Sequence, residues 1–380
     1  MKVTLVHDSF LCVGGGERVA AQLADLFRDA PIYVGAQRAE ALPSSIRGRE
    51  LRSTFAQPLV DRGMPLTALA GLLPAAFGRL DLAGADVVVS SSASFAHHVR
   101  PPTSAVHLCY CHTPPGFLWE PDDYFHGRPA DRLILSPALA ILRRLDYAAA
   151  QRVDLYVANS EHIAARIRRV YGREATVVYP PVDTLACRPS TERSERFLVV
   201  SRLRNHKRID LAIEAANRYG LGLDVIGEGP ELASLRRLAG PTVRFLGPLS
   251  DEAVRGAMAR AVGVVVPARQ DFGMTLVEAQ ASGRPPIALG VGGATEIVRD
   301  GVTGFLFTEP TPESLATAMA RAADQPLNAD ALVGSAARFS VAVFRAAITG
   351  LVASAADRRV ESIEGTLDRA DRQEGPDRAA

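Results

Sequence analysis

The sequence has no stretch of the ~18 consecutive apolar residues that a membrane-spanning helix requires. Net charge is only +1, so no global field draws the molecule to nucleic acid or to an anionic membrane. Cysteine is scarce: Cys12, Cys109, Cys111 and Cys187 are too few for a disulfide framework. Cys109-x-Cys111-His112 could begin a metal site, but no second ligand pair stands at a matching spacing. Cysteines two apart on a strand share one face and serve as core more often than as ligands. No structural metal is expected. No Asp-x-Asp pair lies in a convincing loop, so no metal dependence is expected either. The opening Met-Lys-Val-Thr-Leu-Val-His-Asp interrupts its apolar run at once and reads as a first β-strand rather than a signal peptide. These absences predict a cytoplasmic protein with no nucleic-acid partner. Peripheral contact with the inner face of the plasma membrane stays open.

What is present is an α/β pattern. The 380 residues suffice for two domains of ordinary size. Buried-strand runs are read at Val3–Val6, Pro31–Val34, Asp86–Val89, Val106–Cys111, Leu155–Ala158 and Thr176–Tyr179 in the first half. The second half has Phe197–Val200, Leu223–Ile226, Val243–Leu246, Val262–Val266 and Pro286–Leu289. Amphipathic segments such as Glu17–Phe27, Glu161–Tyr171, Leu211–Tyr219 and Leu276–Ser282 lie between them. Strand and helix in alternation predict parallel sheets covered on both faces. The polar stretch Arg188–Arg196 reads as a linker, giving domains at 1–187 and 196–340. Each is a doubly wound, Rossmann-like sheet that binds ligands at its strands' carboxyl ends, and the two are expected to face across a cleft. A C-terminal helix is expected over 341–360, with a return to the N-terminal domain left open, and a disordered tail over 361–380. Leucines between Arg62 and Leu80 at near-helical spacing predict one helix packed on the first domain. A membrane-facing or acceptor-facing role for it is the minority alternative.

Four stretches carry candidate chemistry. Gly14-Gly15-Gly16-Glu17-Arg18 follows the first strand and opens a helix, where backbone can approach a phosphate or sugar closely. It is not the dinucleotide pattern Gly-x-Gly-x-x-Gly, since the last position is Val19. The second strand also ends without the acid that would hold an adenosine ribose, which disfavours an oxidoreductase. Arg202 and Lys207, on the loop after the first strand of the second half, can meet a diphosphate from two sides. In isolation they are an ordinary solvated loop; their place at a strand's carboxyl end reverses that preference. Pro267–Gly283 joins a buried strand to a helix beginning near Met274. Its free amides can take a phosphate or sugar hydroxyls, and Glu278, one turn in, can accept from ribose hydroxyls. A buried structural glutamate is the alternative for Glu278. His112 ends a strand ahead of the fixed turn Thr-Pro-Pro-Gly and the single tryptophan, Trp119. Taken alone it is a satisfied core histidine, but such a loop can line a cleft.

These stretches, in this order, resemble glycosyltransferase family 4. The family's C-terminal domain carries Glu-x7-Glu inside a segment like Glu-Asp-Phe-Gly-x-x-x-Val-Glu-Ala-x-Ala-x-Gly. Here it stands as Gln270-Asp-Phe-Gly-Met-Thr-Leu-Val-Glu278, with spacing and Phe-Gly intact and Gln270 in place of the first acid. Similar stretches at Tyr110–Pro114, Ala158–Ser160, Val178–Asp183, Ser201–Asp210, Ile226–Pro230, Phe245–Gly247 and Gly292–Phe307 extend the likeness from Lys2 to Phe307. It is strongest to the bacterial branch with Cys-His-Thr-Pro, many of whose members transfer mannose or similar sugars in surface-polysaccharide assembly.

The resemblance implies a GT-B fold, an acceptor-side N-terminal domain and a nucleotide-sugar-binding C-terminal domain. It implies that Arg202 and Lys207 hold the donor diphosphate and that Glu278 binds the ribose. Backbone at Asp271, Phe272, Gly273, Met274, Thr275 and Leu276 would meet phosphate and sugar, and Gln270 would contact donor-sugar hydroxyls. His112 would touch the sugar, with Gly15 and Gly16 bordering the acceptor and phosphate region. Transfer would be retaining, with the departing phosphate oxygen taking the acceptor's proton. The donor is expected to be GDP-mannose or a UDP-sugar, and the acceptor a glycan or lipid-linked glycan. Two further readings stay open: a sugar-nucleotide-binding protein that lost turnover, and a GT-B enzyme with a small soluble acceptor.

Overall fold

The computed structural model describes residues 1–121 and 129–373, with backbone alone for 129–135 and 358–373. The chain divides into two compact units. The first comprises Met1–Asn159, Ile163–Val178 and Arg345–Ala380; the second comprises Ser160–His162 and Tyr179–Phe344.

Among the described residues, the first unit holds a seven-stranded parallel sheet in the order β3-β2-β1-β4-β5-β6-β7. Its strands are β1 Val3–Phe10, β2 Ile32–Gln37, β3 Leu51–Ser53, β4 Val87–Ser92, β5 Val106–Cys111, β6 Leu155–Ala158 and β7 Ala175–Val177. Every residue of β4 and β5 is buried, because helices cover both faces and leave no solvent side for polar alternation. One face packs Val6, Val88, Phe77, Phe95 and Leu118 together. The other packs Cys109, Cys111, Tyr156, Ile163 and Ile167. Cys109 and Cys111 are therefore core thiols, as their spacing on one strand face predicts. Burying each large apolar side chain contributes about 1.5–3 kcal/mol, before the entropy cost of ordering it.

One sequence expectation fails here. Arg62–Leu80 is not a single helix but a 3-10 turn, Leu66–Leu69, followed by a short helix, Leu73–Gly78. Pro74 lacks an amide for the i−4 bond, and Pro65 and Gly71 break the run on either side. Leu69, Leu73 and Phe77 still reach the core, while Leu72 stays exposed. At the C-terminus a helix runs Val341–Gln373. In the first unit its Ile348, Val352 and Ala355 are buried, and Arg345 donates to Gln22 Oε1 of the helix Gly15–Leu26 at 2.7 Å. The tail expected over 361–380 falls on residues whose side chains, and from 374 whose backbone, lie outside the described residues.

The second unit repeats the plan in six parallel strands, order β10-β9-β8-β11-β12-β13. They are β8 Phe197–Val200, β9 Leu223–Ile226, β10 Val243–Gly247, β11 Val264–Val266, β12 Pro286–Leu289 and β13 Phe305–Phe307. The helix Ile209–Tyr219 buries Leu211, Ile213 and Ala215 against Phe197, Val225 and Ile287. The opposite face carries Phe272, Leu276, Val277 and Ile297. Arg188–Arg196 forms no regular element, but it is strapped down. Arg284, 1% exposed, donates to Ala259 O at 2.6 Å and to Ser190 O at 2.9 Å.

In both sheets the strand order reverses beside the first strand, between β1 and β4 and between β8 and β11. Loops leaving the carboxyl ends of neighbours at such a switch point diverge and leave a crevice for a ligand. The motifs at Gly14–Gly16, Arg202–Lys207 and Pro267–Gly273 fall on those loops, while His112 leaves β5, one strand further along the first sheet.

Candidate active site

In the second unit the loop after β8 carries Arg202, exposed, and Lys207, half-buried, just before the helix Ile209–Tyr219. Gly227 holds this loop in place. A Cβ there would lie 1.9 Å from Ser201 O, so only glycine lets the Ile226–Pro230 turn approach. Leu203 N then bonds Glu228 O at 2.8 Å, and Glu231 N bonds Leu203 O at 3.1 Å. Arg208 is the one non-glycine with positive φ among the described residues, at 52°. Its Nε–Asp210 contact at 3.1 Å helps hold this conformation, which costs on the order of 1–3 kcal/mol. Backbone strain of this kind often marks functional loops.

Burial lowers the pKa of Lys207, the Arg202 charge lowers it further, and Asp271 opposes both. Burial brings His206 to about 4, with Lys207, Arg202 and Arg204 adding to the effect. The loop thus concentrates like charges on a partly desolvated ammonium, an arrangement that an anion would relieve.

Across the switch point, β11 runs into the loop Pro267–Gly273 and the helix Met274–Ala281. Among the described residues no side chain caps this helix, and Leu276 N already donates to Gly273 O at 2.9 Å. The amides of Met274 and Thr275 are therefore those the helix leaves for a ligand. The side chains of Leu276 and Phe272 are turned into the core, 0% and 3% exposed. Phe272 lies 5.6 Å from Tyr179 and 5.4 Å from Phe339, ring centre to ring centre, so only its backbone faces a ligand. Glu278 is half-buried one turn in, and its charge helps raise the pKa of Cys187 after burial itself.

Gln270 is held by two contacts. Its Nε2 donates to Ala268 O at 2.9 Å, and its carbonyl accepts from Gly293 N at 2.9 Å. With the amide nitrogen engaged, Oε1 is the atom left to accept from a ligand. Asp271 O accepts from Ser160 Oγ at 2.7 Å, which fixes the other side of the same loop.

In the first unit, His112 stands at the end of β5. Its backbone N–H bonds Ser92 O at 2.8 Å, and Asn159 Nδ2 donates to its carbonyl at 2.8 Å. Its Nε2 lies 2.8 Å from Ser91 Oγ, and His7 Nδ1 reaches Ser91 O and Oγ at 3.2 and 3.1 Å. A carbonyl only accepts, so His7 Nδ1 donates to Ser91 O, and the Ser91 hydroxyl either donates to His112 Nε2 or accepts from it. Where the hydroxyl donates, the His112 proton sits on Nδ1, which has no partner among the described residues. Burial, aided by His7, lowers the His112 pKa to about 3. The ring is a neutral donor at pH 7, not a cation. A Cβ on Gly16 would stand 3.6 Å from His112 Nε2, so the Gly14–Gly16 turn lies over this imidazole, with Gly15 opening its helix.

Two features escaped the sequence reading. Asp8, at the end of β1, accepts from the backbone amides of Ser94 at 2.9 Å, Phe95 at 2.9 Å and Ala96 at 2.8 Å, as well as from Ala93. The amide nest after β4 is thereby closed by the protein's own carboxylate. The second is a buried cluster of His97, His98 and Asp146. The only hint was an acid on an otherwise apolar helical face.

Two family models match the chain. "Glycosyl transferases group 1" covers residues 188–339, and "Glycosyltransferase Family 4" covers residues 13–185. The chain belongs to glycosyltransferase family 4. A D-inositol 3-phosphate glycosyltransferase of Nocardioides sp. is 30% identical over 228 residues, covering 49% of each chain. One of the same description from Mycolicibacterium gilvum is 32% identical over 251 residues, 58% of this chain and 56% of the relative. The matched region spans about half the length of these curated relatives. Among solved structures, Anabaena Alr3699/HepE in complex with UDP aligns at TM-score 0.68 and 21% identity, over 93% of this chain and 100% of that one. Sucrose-phosphate synthase from Thermosynechococcus elongatus aligns at TM-score 0.66 and 17% identity, over 93% and 99%. At such identities these likenesses establish the fold, which is GT-B. Among the described residues, no helix of this family 4 chain is long and apolar enough to cross a membrane.

Proposed function

We propose that this family 4 chain is a retaining hexosyltransferase that takes its sugar from a nucleoside-diphosphate donor. The observation that carries the reading is Lys207. It is half-buried and crowded by Arg202, and its ammonium makes no hydrogen bond or ion pair among the described residues. A diphosphate would neutralise both cations, and the amides of Met274 and Thr275 would add donors at a helix N-terminus. As the donor bond breaks, charge grows on the leaving phosphate, where these fixed groups act most strongly. Arg202 and Lys207 supply the positive charge that a divalent ion supplies elsewhere, so transfer proceeds without metal. Glu278 holds the ribose, and Gln270 Oε1 accepts from a hydroxyl of the donor sugar. His112 offers a neutral N–H to the sugar.

Mannose from GDP-mannose is the favoured sugar, on the likeness to the Cys-His-Thr-Pro branch. The UDP held by the Anabaena neighbour and the D-inositol 3-phosphate named in this chain's curated relatives keep UDP-sugars and a phosphorylated acceptor in the comparison. A glycan or lipid-linked glycan in cell-surface synthesis is the acceptor class of the proposal. The test is incubation of purified protein with GDP-mannose, UDP-glucose and ADP-glucose, with and without chelator, scoring release of free nucleotide. Slow, chelator-insensitive release from one donor supports the reading. Binding without release, even with acceptors added, would favour a protein that has lost turnover. Release abolished by chelator would contradict metal independence.

A further inference from the structure

We propose that Asp146 is a positioning residue for His112, acting through Trp119 and the serines of β4. The inference rests on the role given to His112 above. Asp146 lies on the helix Pro129–Ala150 and is 0% exposed. Its Oδ2 accepts from Trp119 Nε1 at 2.7 Å and from Tyr171 OH at 2.7 Å. Its Oδ1 accepts from His98 Nε2 at 3.1 Å and lies the same distance from His97 Nε2. Burial opposes its ionisation, but His97 and His98, through charge and hydrogen bonding, outweigh it and lower its pKa. Burial likewise opposes the charge on His97, yet Asp146 raises its pKa on balance. The cluster is a buried carboxylate that accepts from Trp119, Tyr171 and His98, with His97 beside it.

A buried carboxylate with its partners is weak evidence of stability, since apolar residues of similar volume often do as well. Orientation is what such residues would not provide. Asp146 joins the turn after β4 (His97, His98), the short helix Gly116–Trp119 and the helix Glu161–Tyr171 to its own helix. Two of these connections lead to His112. Trp119 closes the turn that His112 begins, and Arg143, on the Asp146 helix, bonds Leu118 O beside it. His97 Nδ1 lies 3.1 Å from Ser92 Oγ. Ser92 O accepts the His112 backbone N–H, and Ser91 Oγ meets its ring. Asp146 is thus linked through His97 and Ser92 to the main chain of His112, and Ser91, the neighbour of Ser92 on β4, meets the ring. An error of about 1 Å at a reacting centre costs on the order of 100-fold in rate.

The experiment compares wild type, Trp119→Phe, Asp146→Asn, His112→Ala and the double variant Trp119→Phe/His112→Ala. Trp119→Phe keeps the packing and deletes the donor, so it serves where Asp146→Asn fails to fold. The expected result is a kcat lower by about 10- to 100-fold for Trp119→Phe, with donor KM within about twofold. In the His112→Ala background, Trp119→Phe should cost nothing further. Full additivity, or an unchanged kcat, would overturn the proposal. Nitrogen-15 spectra of the histidine rings give a readout independent of turnover. The His112 ring resonances should shift in Trp119→Phe, and unshifted resonances overturn the proposal even if no donor is found. Absence of turnover in wild type with every donor would count against the transferase reading alone. Stoichiometric metal in the purified protein, lost on His97→Ala, would replace this hydrogen-bonded cluster with a metal site and overturn the proposal.

Discussion

Gly293 offers a direct test of how the donor loop is held. Its φ of −60° is open to any residue, so alanine there meets no backbone strain. The obstacle is contact. A Cβ would stand 2.5 Å from Phe272 Cα, 2.5 Å from Phe272 O and 2.7 Å from Asp271 O. Carbon contacts are comfortable near ~3.5 Å, so the loop must retreat by about 1 Å in Gly293→Ala. That movement stretches the 2.9 Å bond from Gly293 N to Gln270 O. It also displaces Gln270 and the helix start at Gly273. Overpacking of this kind costs about 1–3 kcal/mol of stability. A reacting-centre shift of about 1 Å costs roughly 100-fold in kcat/KM. Gly334→Ala is the control: nothing lies within 4 Å of its Cβ, and it sits inside the helix Ala329–Ala336. It should gain about 0.5–1 kcal/mol from helix propensity and leave activity alone. Donor turnover and thermal melting of both variants make the comparison. Wild-type kcat/KM and melting temperature in Gly293→Ala would refute the reasoning.

Gln270→Glu sets a carboxylate against Ala268 O and loses that hydrogen bond, so its melting temperature should fall. Donor preference or rate should also change, and a donor panel identical to wild type would contradict this. Acid should destabilise the first unit. Burial brings His98 to about 4, and His107 and His112 to about 3, in the folded state. The unfolded chain protonates near ~6.5, so stability is full above that pH and falls as pH drops toward 4. Each imidazole contributes a slope of up to about 1.4 kcal/mol per pH unit, and His97, with its raised pKa, opposes them. Denaturant titrations at pH 7.5 and 5.5 giving equal stability would contradict it.

The buried strands were legible because helices on both faces force near-continuous apolar runs, and Val106–Cys111 and Glu161–Tyr171 stand where the pattern puts them. The three-residue strands Leu51–Ser53 and Phe305–Phe307 were missed: at a sheet edge, so few residues carry no period. The 62–80 segment was misread because leucine spacing outweighed Pro65, Gly71 and Pro74. Arg202, Lys207 and the 270–278 segment were legible because each lies on a loop that the alternation itself locates. That Phe272 and Leu276 point inward was not, since a helix start has no settled face in sequence. Asp8 left no signal and Asp146 only an acid on an apolar helical face, because their partners lie far along the chain and only the folded sheet brings them together.

We propose above that the second unit holds a nucleoside diphosphate on Arg202 and Lys207. Calorimetric titration of GDP and of UDP into wild type and Lys207→Ala tests it most directly. One nucleotide should bind wild type at one site. The proposal predicts weakening by about 1.5–3 kcal/mol, roughly 10- to 150-fold, in the variant. Equal affinity in both proteins, or no binding of either nucleotide to wild type, would contradict it.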